Sequence, residues 1–181
     1  PNYLADLVGK PKLELGDDAV ATTVNAVRER THRLMSNDGQ TRPATFHRRL
    51  GDILYTHCGV SRSKASLQAG LTKVRELRDE FWADVRVAGS SSTLNQELEK
   101  AGRVADFLEL AELMIVDALN RTESCGAHFR EEFATDDGEA KRDDSRWCSV
   151  SAWETRPDGK HVCHDEPLSF ALVPLQQRNY K

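Results

Sequence analysis

The sequence predicts a mainly α fold: an antiparallel bundle of about four helices, followed by a C-terminal β-hairpin and an extended tail. Three observations carry this expectation. Apolar residues recur at spacings of three and four through four segments between residues 17 and 119. The links between those segments are short and rich in Gly, Ser, Asn and Pro. Beyond Leu119 the helical period stops, and two short strand-like segments flank the turn sequence Pro157-Asp158-Gly159. Residues 1–124 therefore read as the bundle with an extended lead-in. Residues 125–181 read as a loop, hairpin and tail packed on it, the whole being one structural domain of a longer subunit.

Residues 1–16 hold two turn signals, Gly9-Lys10-Pro11 and Leu15-Gly16, and read as extended. Asp17 and Asp18 offer N-cap acceptors for a first helix, whose stripe is Val20, Val24, Val27, Thr31 and Leu34. Asn37-Asp38-Gly39 ends it. Pro43 suits the first turn of a second helix, where its missing N–H costs nothing, and Phe46, Leu50, Ile53, Leu54 and His57 keep the period up to Gly59.

Ser61 or Ser63 starts a third helix with Leu67, Leu71, Val74, Leu77, Phe81 and Val85 on one face. Lys73, Arg75, Glu76, Arg78, Asp79 and Glu80 on its other face read as solvated. The sequence Thr93-x-x-Gln96 fits a capping box for the fourth and longest helix. There Leu94, Leu98, Ala101, Ala105, Leu108, Ile115 and Leu119 are interrupted only by Glu112. A second stripe beside them makes this the central helix. Trp147 to Trp153 then reads as a strand with both tryptophans on one face. Lys160 to His164 is the return strand, and an extended piece from Leu168 ends in a basic tail.

Composition narrows the function. The chain has 181 residues, 30% charged and 39% hydrophobic, long enough to bury roughly 70% of its unfolded surface. A net charge of -4 argues against a nucleic-acid or anionic-membrane partner. No run of apolar residues is long enough to insert in a membrane, and Pro1 to Asp6 does not resemble a signal peptide. The opening, without Met, reads as a piece of a longer polypeptide. Cys58, Cys125, Cys148 and Cys163 form no C-x-x-C pair, and free thiols are expected.

Residues 121–133, RTESCGAHFREEF, concentrate the chemistry. Cys125 and His128 have a spacing that zinc accepts, and Cys163 or His164 could join them. Those two neighbours point to opposite faces of a strand, however, so four ligands do not converge readily. Cys125 with His128 as a nucleophile pair lacks an orienting third group. Glu131-Glu132 and Asp143-Asp144 are adjacent pairs that diverge on regular structure. No glycine-rich phosphate loop occurs. On these grounds no catalytic, cofactor-binding or metal-binding residue is assigned.

The segment from Arg121 through Glu123, Cys125, Gly126, Ala127, His128 and Arg130 to Glu131, then Asp143-Asp144 and Trp147, resembles succinate dehydrogenase and fumarate reductase flavoprotein subunits. Their C-terminal domains carry an R-x-E-S-R-G-A-H-x-R segment, acids and a D-D-x-x-W element. Cys58-Gly59-Val60-x-Arg62 and Asn2-Tyr3-Leu4-Ala5 are similar to that family as well, so the likeness covers nearly the whole chain. One departure stands out: Cys125 takes the place of the usual Arg.

The resemblance implies that the intact subunit oxidises succinate to fumarate by hydride transfer to FAD. Electrons then leave through an iron–sulfur subunit to quinone, and the complex is cytoplasmic and peripheral to the membrane. The family's flavin fingerprint and substrate-binding residues match nothing in this chain, so the fragment is expected to hold no cofactor. On this reading Arg121, Glu123, Cys125, His128 and Arg130 are interface candidates. They form a seam toward the flavin-binding domain of the same polypeptide, with His128 and Arg130 exposed or loosely paired in the chain alone. The competing readings are a local helix cap ending at Gly126, a free-standing helical interaction module, and an L-aspartate oxidase domain.

Overall fold

A computed structural model describes residues 2–10, 16–156 and 158–176. The elements in order are α1 (Asn2–Val8), α2 (Asp17–Ser36), α3 (Pro43–His57), β1 (Ser61–Arg62), α4 (Lys64–Asp84) and α5 (Gln96–Asn120). They continue with β2 (Phe129–Arg130), a 3-10 turn (Glu131–Phe133), α6 (Asp144–Trp147), β3 (Ser149–Thr155) and β4 (His161–Pro167). The fold is mainly α, as expected. No helix among the described residues is long and apolar enough to cross a membrane.

The core lies between α3, α4 and α5, because these helices carry the broadest apolar faces. Phe46, Leu67, Val74, Leu77, Phe81, Val85, Leu108 and Ile115 are fully or almost fully buried. Phe46 near the start of α3 meets Phe81 near the end of α4 edge-to-face at 5.3 Å, so those two helices run antiparallel. The α5 helix touches α2, α3 and α4 and is central, for the reason the sequence gives.

Where the sequence reading departs from the structure, the departures have local causes. The lead-in is not extended throughout: residues 2–8 form α1, while 11–15 lie outside the described residues. No side chain caps the start of α2, which follows Gly16. Its stripe enters the core only at Leu34; Val20, Val24 and Val27 are exposed, as are Tyr3, Leu4, Leu7 and Val8 of α1.

Helix α5 starts at Gln96, and its cap is Asn95 in place of a Thr93 capping box. The Asn95 side chain accepts from the N–H groups of Glu97 and Leu98 at 3.0 and 3.1 Å. Its amide also donates to the carbonyls of Ala88 and Ser90, so one residue closes the loop and starts the helix. Leu94, outside the helix, is 95% exposed.

The second correction concerns the polar face of α4. Arg75 and Arg78 are not merely solvated: both bind the carboxylate of Glu112, which is 4% exposed. Arg49 of α3 similarly grips Glu80 through two 2.5 Å hydrogen bonds. The third correction is Trp147. It belongs to the short α6, not to a strand with Trp153, and it is buried.

The hairpin pairs Thr155 with His161 and Ser149 with Pro167. Pro157 of the turn expected from the sequence lies outside the described residues, as does the basic end of the tail, 177–181. A lone hairpin is marginal in water. This one docks on α5, where Trp153 donates from Nε1 to Asp117 at 2.7 Å and His161 Nε2 lies 3.9 Å from Glu112.

Two outcomes follow. Asn95→Ala should lower stability by about 1–2 kcal/mol in a denaturant titration, with Thr93→Ala near zero. Equal effects of the two would restore the Thr93 cap. Trp153→Ala should remove hairpin protection in amide exchange while the far-ultraviolet helical signal stays; loss of most helix would place the hairpin in the folding core.

Candidate functional site

The segment 121–133 begins where α5 ends. Arg121 is the helix C-cap, and its backbone N–H bonds to the Asp117 carbonyl. Its guanidinium turns back onto Glu123, with Nε at 2.8 Å, and onto the Trp147 carbonyl at 3.0 Å. Glu123 is only 2% exposed, and its second oxygen accepts from the Asp143 backbone N–H at 2.8 Å. One buried carboxylate thus ties the end of α5 to the start of α6.

Cys125 and His128 face each other across a tight turn, exchanging backbone hydrogen bonds of 2.8 and 3.1 Å. Gly126 at φ +59° makes that turn possible, in a region that disfavours residues with a Cβ. The Cys-x-x-His spacing is therefore turn geometry. His128 Nε2 sits 3.0 Å from the Arg121 carbonyl, and Nδ1 sits 2.9 Å from the Arg62 guanidinium. A carbonyl only accepts and a guanidinium only donates, so the ring carries its proton on Nε2 and both nitrogens are engaged. Burial first, then the nearby charges of Arg62, Arg130 and Arg121, push its pKa below the usual histidine value.

Arg130 is buried as well, 3% exposed. Its guanidinium donates to the Ala118 carbonyl at 2.8 Å and the Leu119 carbonyl at 3.4 Å, satisfying acceptors that the end of α5 leaves open. Its Nε reaches Glu132 at 3.0 Å. The fully buried Ser124 hydroxyl accepts from the Arg130 N–H and donates to its carbonyl. Across from it, β1 and β2 pair in parallel, Arg62 beside Arg130. Glu132 then accepts from the Lys64 N–H at the first turn of α4, at 2.5 Å. Burial alone would raise the Glu132 pKa, but that amide and the Arg130 guanidinium hold it below the usual carboxylate range.

The arrangement joins four of the five interface candidates in one network, and that corrects the seam expectation in one respect. Glu123 and Arg130 are buried and paired inside this chain, and His128 is engaged on both sides. They are not groups waiting for outside counter-charges. The local-cap reading needs correcting too: Gly126 does not terminate α5, and the capping cation is Arg130, twelve residues beyond Ala118. Cys125 is half-buried. Among the described residues no group of three or more His, Cys, Asp or Glu is placed to hold a metal, and Cys163 lies on the hairpin beside Asp165. The four cysteines are unpaired thiols.

Sequence reasoning missed Arg62 as the partner of His128 and Glu132 as the link to α4. The short apolar-poor strand at Ser61–Arg62 leaves no periodic signal, so only the parallel pairing with β2 reveals the contact.

Residues 47–180 match the family described as the fumarate reductase flavoprotein C-terminal region. This chain belongs to that family. The fumarate reductase flavoprotein subunit of Escherichia coli is 31% identical over 192 residues, covering 99% of this chain and 31% of its own length. That of a Serratia strain is 29% identical, covering 85% and 25% respectively. Among solved structures, a quinol fumarate reductase of E. coli superposes with a TM-score of 0.77 at 25% identity, over 91% of this chain and 27% of that one. The adenylylsulfate reductase of Archaeoglobus fulgidus shares the fold at 15% identity, TM-score 0.67, over 97% of this chain and 28% of that one. The fumarate reductase or succinate dehydrogenase C-terminal domain seen here thus spans between a quarter and a third of the curated relatives named.

Arg130→Ala and Glu123→Ala should each lower the stability of this domain by about 2–4 kcal/mol, since each leaves buried polar groups unpaired. Cys125→Ser should stay within about 0.5 kcal/mol. Equal, small effects on urea midpoints would show that the network does not hold the fold. His128 gives a pH signature. Its folded pKa lies below its unfolded value of about 6.5, so the unfolded chain binds the extra proton first. Stability should be complete above about pH 6.5 and fall as the pH drops below it. The slope just below that pH should shrink in His128→Gln; an unchanged slope would assign it to other groups.

Proposed function

We propose that this chain is the C-terminal domain of a subunit that binds FAD, interconverts succinate and fumarate, and exchanges electrons with quinone through an iron–sulfur subunit. The favoured direction is succinate oxidation. The match of residues 47–180 to the flavoprotein C-terminal family carries this reading. The fumarate reductase relatives and a succinate dehydrogenase flavoprotein of Bacillus subtilis, 24% identical over 164 residues, support the same couple.

On this reading the domain supplies no catalytic, cofactor-binding or metal-binding residue. FAD and substrate are held by the flavin-binding domain of the same polypeptide, and this domain stiffens and covers it. The bundle and the loop–hairpin region act as one structural unit. The exposed apolar residues of α1 and α2 and the turn at Cys125, Gly126 and Ala127, outermost in the charged network, are the surfaces offered to that domain. Burying such a bare apolar area is a normal reason for a patch of this kind. The complex sits on the cytoplasmic side of the membrane, held there by partner subunits, with no nucleic acid and no direct insertion.

The test is expression of the reading frame extended upstream. The longer subunit should purify with about one FAD per chain and oxidise succinate with an artificial acceptor, while the 181-residue chain does neither. Oxidation of L-aspartate in place of succinate, or a longer chain without flavin, would overturn the proposal.

A further inference from the structure

The end of the bundle where α3 and α5 begin and α4 stops carries a polar cleft of about 530 Å³, lined by Gln40, Arg42, Arg86, Ala88 and Glu97. Its walls are built rigidly. The loop after α2 crosses the end of α4 so closely that a Cβ at Gly39 would stand 2.0 Å from the Asp84 carbonyl oxygen; only glycine fits. That contact lets Thr41 pair with Val85 in a parallel bridge: the Thr41 N–H donates to Asp84 and the Arg86 N–H donates to Thr41, at 3.0 and 2.9 Å. Residues in register across a parallel bridge project to the same side, so Arg42 and Arg86, each one step further along, enter the cleft together. The buried neighbours Pro43, Val85 and Val87 hold both backbones in place.

The two guanidiniums have no hydrogen-bond or ion-pair partner among the described residues, whereas most arginines of this domain are paired. The acids nearby are engaged elsewhere. Asp84 accepts from the Gln40 N–H at 2.9 Å, and Glu97 binds Lys100 at 3.1 Å. Two like charges lining one cleft repel each other, and an oxyanion with several oxygens between them would relieve that repulsion. Guanidinium forks fit carboxylate and phosphate geometry.

We infer that the Arg42–Arg86 cleft is a binding site for a small dianionic oxyanion, a phosphate group or a dicarboxylate. It lies at the opposite end of α5 from the 121–133 network. The inference stands independently of the flavin-dependent function proposed above.

The experiment titrates inorganic phosphate and, separately, succinate into the 181-residue chain at constant ionic strength, and follows the arginine Nε–Hε resonances by NMR. The expected result is saturation with a dissociation constant of about 1 mM for at least one of them. The resonances of Arg42 and Arg86 should move, and binding should be lost in Arg42→Ala and in Arg86→Ala, both on an unchanged fold. Arg28→Ala, a surface control, should bind as the parent does. Saturation by phosphate alone assigns the site to phosphate groups, and saturation by succinate alone assigns it to dicarboxylates. Shifts no larger than those from chloride, or binding that survives both substitutions, would overturn the inference.

Discussion

The buried guanidinium of Arg130 on the last carbonyls of α5 is the contact on which the C-terminal half of this domain depends. A helix leaves its final carbonyls without partners, and burying them unpaired is expensive. Here the remedy comes from a residue well beyond the helix end, on β2. To reach back, the chain must turn at Gly126, run alongside β1 and deliver Arg130 under α5. Once it does, Glu132 falls at the first turn of α4 and Glu123 at the start of α6. One cation therefore fixes the relative position of two long helices and the loop that leads to the hairpin.

Glu112 is a second polar knot of the same kind, placed midway along α5. Three side chains converge on it: Arg75 and Arg78 from α4, and His161 from the hairpin. A buried ion pair contributes uncertain net stability, but removing one partner is costly, so such groups restrict which packings are acceptable. With Trp153 on Asp117, this contact gives a marginal hairpin a defined seat on the bundle. The apolar core sets the bundle; these charged contacts set where the appendage goes.

The substitution at Cys125 fits this division. The pattern that this segment resembles has an Arg at this place, whereas here the turn keeps its shape through the backbone bonds between Cys125 and His128 and through Gly126. The Cys125 side chain is half-buried, and the hydrogen bonds of the inner pairs run through Glu123, Ser124 and Arg130 instead.

The sequence by itself determined the four long helices, because a 3.6-residue period acts within one turn of the chain. It determined the extents of α3 and α4, the central place of α5, and the hairpin turn within a residue or two. It also marked 121–133 as the densest chemistry. Tertiary structure alone decided what those charges do. The pairs Arg62 with His128, Arg75 with Glu112 and Lys64 with Glu132 join residues 37 to 68 positions apart. No periodicity encodes such distances. The same holds for the stripe of α2, regular in sequence yet bare at Val20, Val24 and Val27: an amphipathic pattern says that a face is to be covered, and only packing shows where cover is present.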